Sequence, residues 1–366
     1  MVQQKQLIPF RFGTRQHFAY VGSIPHTSGG QISFRLPNVG FLTKLYLQFN
    51  GQINAGATAP VVFPDWRYPF ALASRISLSA NVGNTDIVNA SGPMLKLVDR
   101  TYRRSLIDPY FGLGGVGAET VPSTISVSTA TPLVFSIPIN VTPNDGSNFD
   151  EGCINLQSTE LQVNLNVTLS SESGLFSTVN GATITGTWNL YYKYYEVPDP
   201  NTVAYPVAMW HAQLSQPFQF NSSGDNTYTI PLQGTLLRLY MRFYNANASV
   251  TSFDASKLNN LSVKFDKATT IYQIPAWRLG EENTMAYPQW SYGTAKNANA
   301  YPKIERGAMV LDLFNASDLA GHGDTRDAIN TQAIAATDFV FNMLSYDAGD
   351  YVEIMRQIVA PFIVTG

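Results

Sequence analysis

Cysteine is nearly missing from this 366-residue chain: Cys153 stands alone. A disulfide framework and a thiolate metal cluster are both excluded. Charge is scarce as well. Asp, Glu, Lys and Arg make up 13% of the residues, about half of ordinary globular usage, and the formal net charge is −3. A chain so weakly charged favours association over dispersal. Long apolar runs are absent: nothing approaches the roughly eighteen residues of a membrane span. The opening "MVQQKQLIPFRFG" has no apolar stretch of signal-peptide length, the pattern expected of a chain made in the cytosol. Sequons such as Asn140-Val-Thr, Asn166-Val-Thr and Asn315-Ala-Ser therefore read as Asn- and Thr-rich strand edges.

Catalytic and ligand motifs are missing too. "GLGGVG" at 112–117 fits a dinucleotide loop by spelling, but "LIDPY" before it and "AETVPSTISVST" after it read as loop, without the strand and helix that such a site requires. His17, His26, His211 and His322 have neither an i, i+4 histidine nor a C-x-x-C nearby, so no zinc pattern forms. His322 and Asp324 fall in a Gly-rich loop. Cys153 has no nucleophile signature and no G-x-S-x-G elbow is present. Asp145, Asp150 and Glu151 share one loop without calcium-loop spacing and read as a solvated turn. No residue is assigned as catalytic, cofactor-binding or metal-ligating, and no small-molecule substrate is expected.

Period-two alternation is what the chain has in abundance. "KLYLQF" sets Leu45, Leu47 and Phe49 against Lys44, Tyr46 and Gln48. "ELQVNLNVTL" sets Leu161, Val163, Leu165 and Val167 against polar neighbours, and "DFVFNML" puts Phe339, Phe341 and Met343 on one side. Such strands are expected to be buried on one face only, as in antiparallel sandwiches. In "YYKYY", Tyr191, Lys193 and Tyr195 face one way and Tyr192 and Tyr194 the other, so one set belongs to the core and one to a surface suited to protein contact. Helices are few. "SGPMLKLVDRTYRR" is the candidate, with Ser91 as cap, Leu95, Val98 and Tyr102 as its apolar stripe, and Lys96, Arg100, Arg103 and Arg104 on a solvated or subunit-facing side.

The strands recur. Residues 34–49 and 228–243 agree at six of sixteen positions without a gap: Pro37/Pro231, Gly40/Gly234, Leu42/Leu236, Leu45/Leu239, Tyr46/Tyr240 and Phe49/Phe243. Three more pairs follow in the same order: 76–79 with 261–264, 133–137 with 309–313, and 159–165 with 337–343. The shifts stay between 176 and 194, as expected of fixed strands joined by unequal loops. Each half then closes on a strand, "TWNLYYKYYEV" and "YVEIMRQIVAPF". The expected fold is all-β: two tandem eight-stranded antiparallel jelly-roll sandwiches with a few short helices. The proline-rich "VPDPNTVAYP" at 197–206 marks the join, giving a first roll over 1–199, with a basic N-terminal arm, and a second over 200–366. An immunoglobulin tandem fits less well, because its domains are shorter and its Cys…Trp…Cys pattern is missing.

A tandem of two jelly rolls in a disulfide-free, low-charge chain resembles the double jelly-roll major capsid proteins of tailless icosahedral viruses and phages with an internal membrane, of which adenovirus hexon is a larger relative. The likeness spans the chain and rests on "SFRLPNVGFLTKLYLQF" and "TYTIPLQGTLLRLYMRF" as equivalent early strands, with "TELQVNLNV" and "TDFVFNML" as equivalent late ones. It implies a homotrimer presenting six rolls around one axis and tiling an icosahedral virion shell. The implied partners are neighbouring capsomers and minor capsid (penton or cement) proteins. It also implies termini toward an inner membrane. Lys5, Arg11 and Arg15 precede the first acidic residue, Asp65, and are the candidates for inner-face contact with lipid or nucleic acid. Segments 104–131 and 278–305 are the expected outer towers. Two other readings stay open: a secreted two-jelly-roll glycan-processing amidase, and a carbohydrate- or receptor-binding viral spike module.

Overall fold

A computed structural model describes residues 10–54, 56, 61–62, 69–80, 85–102, 124–125, 130–142, 153–157, 162–176, 179, 181–197, 199, 201, 203, 209–231, 234–244, 257–286, 307–313, 328–334 and 336–361. A single helical turn, α1 (Phe10–Gly13), leads into β1 (Gln16–Pro25), β2 (Gln31–Arg35), β3 (Phe41–Asn54), β4 (Val61–Val62), β5 (Ala73–Ala80) and β6 (Thr85–Ala90). Helix α2 (Gly92–Tyr102) follows, then β7 (Thr124–Ile125), β8 (Ala130–Asn140), β9 (Ile154–Asn155), β10 (Val163–Leu169) and β11 (Thr183–Tyr195). The second half repeats the plan with β12 (Met209–Gln219), β13 (Gly224–Ile230), β14 (Thr235–Tyr244), β15 (Leu258–Phe265) and β16 (Thr269–Pro275). It ends with α3 (Ala276–Ala286), β17 (Ala308–Asp312), β18 (Ile329–Asn330), β19 (Thr337–Met343) and β20 (Tyr351–Pro361).

The ladders identify the topology. In the first half, β1-β11-β3-β8 form one sheet and β2-β10-β5-β6 another. In the second, β12-β20-β14-β17 and β13-β19-β15-β16 repeat the same two orders. Counting the eight principal strands of each half, both sandwiches read 1-8-3-6 over 2-7-4-5, the double Greek key of a jelly roll. Every strand pair matched by sequence occupies equivalent places: β3 and β14, β5 and β15, β8 and β17, β10 and β19, β11 and β20.

The copies agree in detail. Ladder β3–β11 skips Thr43, and ladder β14–β20 skips Leu237, the residue 194 positions on. Gly40 and Gly234, at the mouths of these strands, have φ of 70° and 137°, conformations that glycine alone adopts without strain. A Cβ on Gly40 would lie 2.4 Å from the carbonyl oxygen of Tyr195. Both glycine carbonyls then accept from an incoming short segment, from Leu156 N–H at 2.9 Å and from Thr331 N–H at 3.0 Å.

Two cores result. The first gathers Phe49, Phe135, Trp188 and Phe70, with Phe49 and Trp188 ring centroids 5.0 Å apart. The second gathers Phe220, Phe243, Phe339 and Phe341. The alternation supplies them: Leu45, Leu47 and Phe49 are fully buried, as are Leu239, Met241 and Phe243. Leu161 lies outside the described residues, while Val163, Leu165 and Val167 are buried as expected.

Helix α2 begins where its sequence signals. Ser91 Oγ accepts from Met94 N–H at 3.3 Å, capping the first turn. The same hydroxyl donates to Glu353 Oε2 at 2.9 Å, tying the helix start to β20. We expect Ser91→Ala to cost about 1–2 kcal/mol in chemical unfolding, the range of a lost cap. Ser91→Thr should recover most of it.

The polar side of α2 departs from expectation. Lys96 is fully buried rather than solvated, 5.1 Å over the Phe70 ring and 3.9 Å from Asp99. The side chains of Arg100 and Tyr102 and the whole of Arg103 and Arg104 lie outside the described residues. Helix α3, in the same place in the second half, has no counterpart in the sequence reading. Its residues 278–286 belong to a helix rather than a loop tower, and 287–305, like 104–123 and 126–129, lie outside the described residues.

Candidate assembly interface

Polar side chains on a strand normally face water. On β14 they do not. Arg238, Tyr240 and Arg242 are buried as completely as the Leu239, Met241 and Phe243 that alternate with them. The expectation of one-sided burial fails there because the two rolls share a sheet. Strand β6 of the first roll pairs in parallel with β12 of the second, Val88 with Gln213 and Asn89 with Leu214. This junction makes β2-β10-β5-β6-β12-β20-β14-β17 continuous. The outer face of β12-β20-β14 therefore lies under the first roll, and Tyr240, Val310 and Met355 join the first core.

A hydrogen-bonded network seals the seam. His211 Nδ1–H donates to the Val141 carbonyl at 2.8 Å, and Gln357 Nε2 donates to His211 Nε2 at 2.8 Å. Gln357 Oε1 accepts from Arg238 at 3.1 Å, and Arg238 Nε lies 3.1 Å from Asp312. Gln213 Nε2 donates to the Asn140 carbonyl at 2.7 Å. Glu353 accepts from Ser91, Ser215 and Tyr244, one partner from the first roll and two from the second. Arg75 on β5 donates to the Ser215 carbonyl at 2.9 Å. The Thr101 and Tyr240 hydroxyls lie 3.1 Å apart, joining α2 to β14. Burial pushes the His211 pKa down from 6.5 to about 4, with Arg238 adding repulsion, so the ring is neutral in the seam.

The matching outer face of the first roll is partly bare. Phe18 and Tyr20 on β1 are 59% and 53% exposed. Phe18 stacks on Tyr191 with centroids 5.4 Å apart, and Tyr191 also meets Tyr20 at 5.3 Å. Lys193 reaches over Tyr46 at 5.5 Å. Here the "YYKYY" reading holds in outline: Tyr192 is in the core, and Tyr191 and Lys193 belong to the outer side. Tyr195 departs from that side. The β3–β11 irregularity after Lys193 turns it onto Phe10, 5.3 Å away, beside Phe41 and Val203. Large apolar residues of the second roll are bare as well, Ile271 on β16 and Trp277 on α3 at 43% and 67%, and Leu344 just after β19 at 62%. Sequence reasoning missed Phe18, Tyr20, Ile271 and Trp277. The alternation of "QHFAYVG" carried a signal for the first two, whereas Trp277 lies in a helix that was not foreseen.

The basic candidates are placed unevenly. Arg15 is exposed just before β1, Arg11 lies on the backbone turn of α1, and Lys5 falls outside the described residues. His17 pairs with Glu196 at 2.7 Å on the surface, and His26 Nδ1 accepts from Trp188 Nε1 at 3.2 Å. The Gly-rich loop at 112–117, His322, Asp324 and the Asp145–Glu151 loop lie outside the described residues. Among the described residues no three His, Cys, Asp or Glu side chains are grouped to hold a metal, and no helix is long and apolar enough to cross a membrane.

No protein-family model matches the chain, and no curated protein resembles it in sequence. Solved structures do. The crystal structure of the STIV major capsid protein superposes with a TM-score of 0.68 at 13% identity, covering 95% of this chain and 97% of that one. This chain has the double jelly-roll fold. The faustovirus major capsid protein matches the double jelly roll at 0.60 and 10% identity, over 98% and 92% of the two chains. The quasi-atomic PBCV-1 virus capsid model matches at 0.58 and 11%, over 94% of both. Near-complete coverage in both directions means that the whole double jelly roll, and not one sandwich of it, is shared.

Proposed function

We propose that this chain is a structural major capsid protein, non-enzymatic, whose residues 1–199 and 200–366 form the two rolls of a subunit that trimerises into a pseudo-hexagonal block and tiles an icosahedral virion shell. The observation that carries this reading is the seam. Two rolls of identical strand order stand side by side in one rigidly hydrogen-bonded unit, so three chains supply six like walls around an axis. The shared fold of viral major capsid proteins supports it, and low charge suits a surface that spends its life against neighbours. The partners are then neighbouring capsomers and minor capsid proteins. The exposed Arg15, together with Lys5 and Arg11, would face lipid phosphate or nucleic acid on the inner side.

Light scattering of the purified protein tests the reading. Three chains of 40.2 kDa give a particle of about 120 kDa, stable at micromolar concentration, as expected of an obligate interface burying more than about 2,000 Å². Electron microscopy of the same sample should show six-cornered blocks or shells. A monodisperse 40 kDa species would overturn the proposal.

A further inference from the structure

The junction inside one chain is made by unlike parts. The first roll contributes its fifth strand, β6, and the helix that follows it, α2. The second contributes the outer face of β12-β20-β14. Each roll also has the part that the other used. Strand β16 and α3 are the second roll's fifth strand and helix, and β1-β11-β3 is the first roll's version of the buried face. Among the described residues β1 and β16 are terminal strands of their sheets, and Phe18, Tyr20, Ile271 and Trp277 on or beside them are exposed.

The correspondence can be followed residue by residue. The 194-residue shift that matches Lys44 to Arg238 and Tyr46 to Tyr240 extends across the ladders. Lys44 pairs with Lys193 and that with Phe18, whereas Arg238 pairs with Gln357 and that with Gln213. Phe18 therefore occupies the place of Gln213, and by the next rung Tyr20 occupies that of Ser215. On the other side, Leu78 pairs with Val88 as Val263 pairs with Tyr272, so Tyr272 and Gln273 stand where Val88 and Asn89 do.

Resting on the trimer reading, we infer that the face of Phe18, Tyr20 and Tyr191 in one copy docks on β16 and α3 of the next, with Phe18 and Ala19 bridging in parallel to Tyr272 and Gln273 as Gln213 and Leu214 bridge to Val88 and Asn89. Three observations favour a second copy as the occupant. The exposed aromatics of the first roll and the exposed Ile271 and Trp277 of the second lie on the two surfaces that the internal junction selects. Charge is complementary as well: on α3 Arg278 pairs with both Glu281 and Glu282, leaving one net negative charge on that surface, against Lys193 on the other. Both edges, left bare, are templates for promiscuous strand pairing, which pairing with each other removes. The contact is heterologous, so each copy offers one of each surface and a ring can close. The chemistry differs from the internal seam for a physical reason. Covalent linkage spares the internal junction the cost of association, so a polar network suffices, whereas separate chains need apolar burial to offset lost translational freedom.

The test starts with hydrogen exchange on the wild-type trimer. Amides of 16–20 and 271–273 should be protected as strongly as central strands, and free-edge exchange in an intact trimer would overturn the inference while leaving the trimer reading standing. Phe18→Asp and Trp277→Asp should each yield folded monomers, with association weakened at least about a hundredfold, and strand content and unfolding midpoint unchanged. Mixed in equal amounts, the two variants should form a one-to-one complex of about 80 kDa and stop, since only one intact pair of surfaces remains. Trimers that persist in either variant, or a mixture that stays monomeric, would refute the pairing of these surfaces. A wild-type chain that never trimerises would overturn both readings.

Discussion

Replacing Asp99 with alanine is expected to cost about 3–5 kcal/mol, because it strips the carboxylate from two buried ammonium groups. Asp99 is fully buried on α2, with Oδ1 3.5 Å from Lys44 on β3 and Oδ2 3.9 Å from Lys96 one helical turn away. Lys96 is fully buried and Lys44 nearly so. Neither charge can return to water without moving α2, which is packed against β8 and β14. The Phe70 and Tyr46 rings offer these ammoniums cation–π contacts at 5.1 and 5.4 Å, too weak to replace a carboxylate. Urea unfolding of Asp99→Ala measures the loss. The double variant Asp99→Ala with Lys96→Met should recover part of it, since the pair that is broken alone is costly and the pair that is removed together is not. A double variant no better than the single one would mean that the deficit comes from packing rather than from stranded charge. The expected effect is large because the helix so held is the one that also meets the second roll through Thr101.

Acid should loosen the same junction. His211 is fully buried and neutral, its Nδ1–H bound to the Val141 carbonyl and its Nε2 receiving Gln357. Protonation would place a second N–H against the Gln357 amide, and that amide cannot turn over without presenting its NH2 to Arg238. The sign follows from the lowered pKa. The unfolded chain takes up the proton near 6.5 and the folded chain only near 4, so the unfolded state binds more protons in between. The contribution is complete above about pH 6.5 and drains away as the pH falls toward 4. Its size is about 3 kcal/mol, from the gap between the two pKa values. His211→Asn keeps a donor for the Val141 carbonyl and removes the titration. Unfolding free energies of the two proteins, measured from pH 7.5 to 4, should therefore converge with acid by about 3 kcal/mol. Parallel curves would show that His211 does not sense the proton.

Much of the fold was legible because a duplicated sandwich writes its core twice. Leu45, Leu47 and Phe49 repeat as Leu239, Met241 and Phe243 since both sets fill the same position in the same sandwich. Gly40 and Gly234 repeat since both strand mouths need a backbone that only glycine adopts easily. Ser91 was readable as a cap because capping is local. Lys96 and Arg238 were misread for the converse reason. A lysine on a helix or an arginine on a strand looks solvated unless the layer above it is known, and those layers come from other elements of the chain, Phe70 over Lys96 and the first roll over Arg238. Helix α3 escaped notice because its exposed positions Trp277, Arg278, Glu281 and Glu282 mix apolar with charged, and its buried ones are few.

Alternation and repetition alone therefore pointed to two jelly rolls, to the sequence of strands that recurs in both, and to the inward face of β3, β10, β14 and β19. Those features depend on period and local geometry, which neighbouring residues encode. Tertiary structure alone decided that β6 pairs with β12, that the polar side of β14 is buried while its counterpart on β3 is partly bare, and that Phe18 on the terminal strand β1 and Trp277 on α3 are exposed. Such outcomes depend on which outer surface meets which. Identical strand patterns are compatible with either side facing water, and only the docking of one sandwich on the other breaks that equivalence.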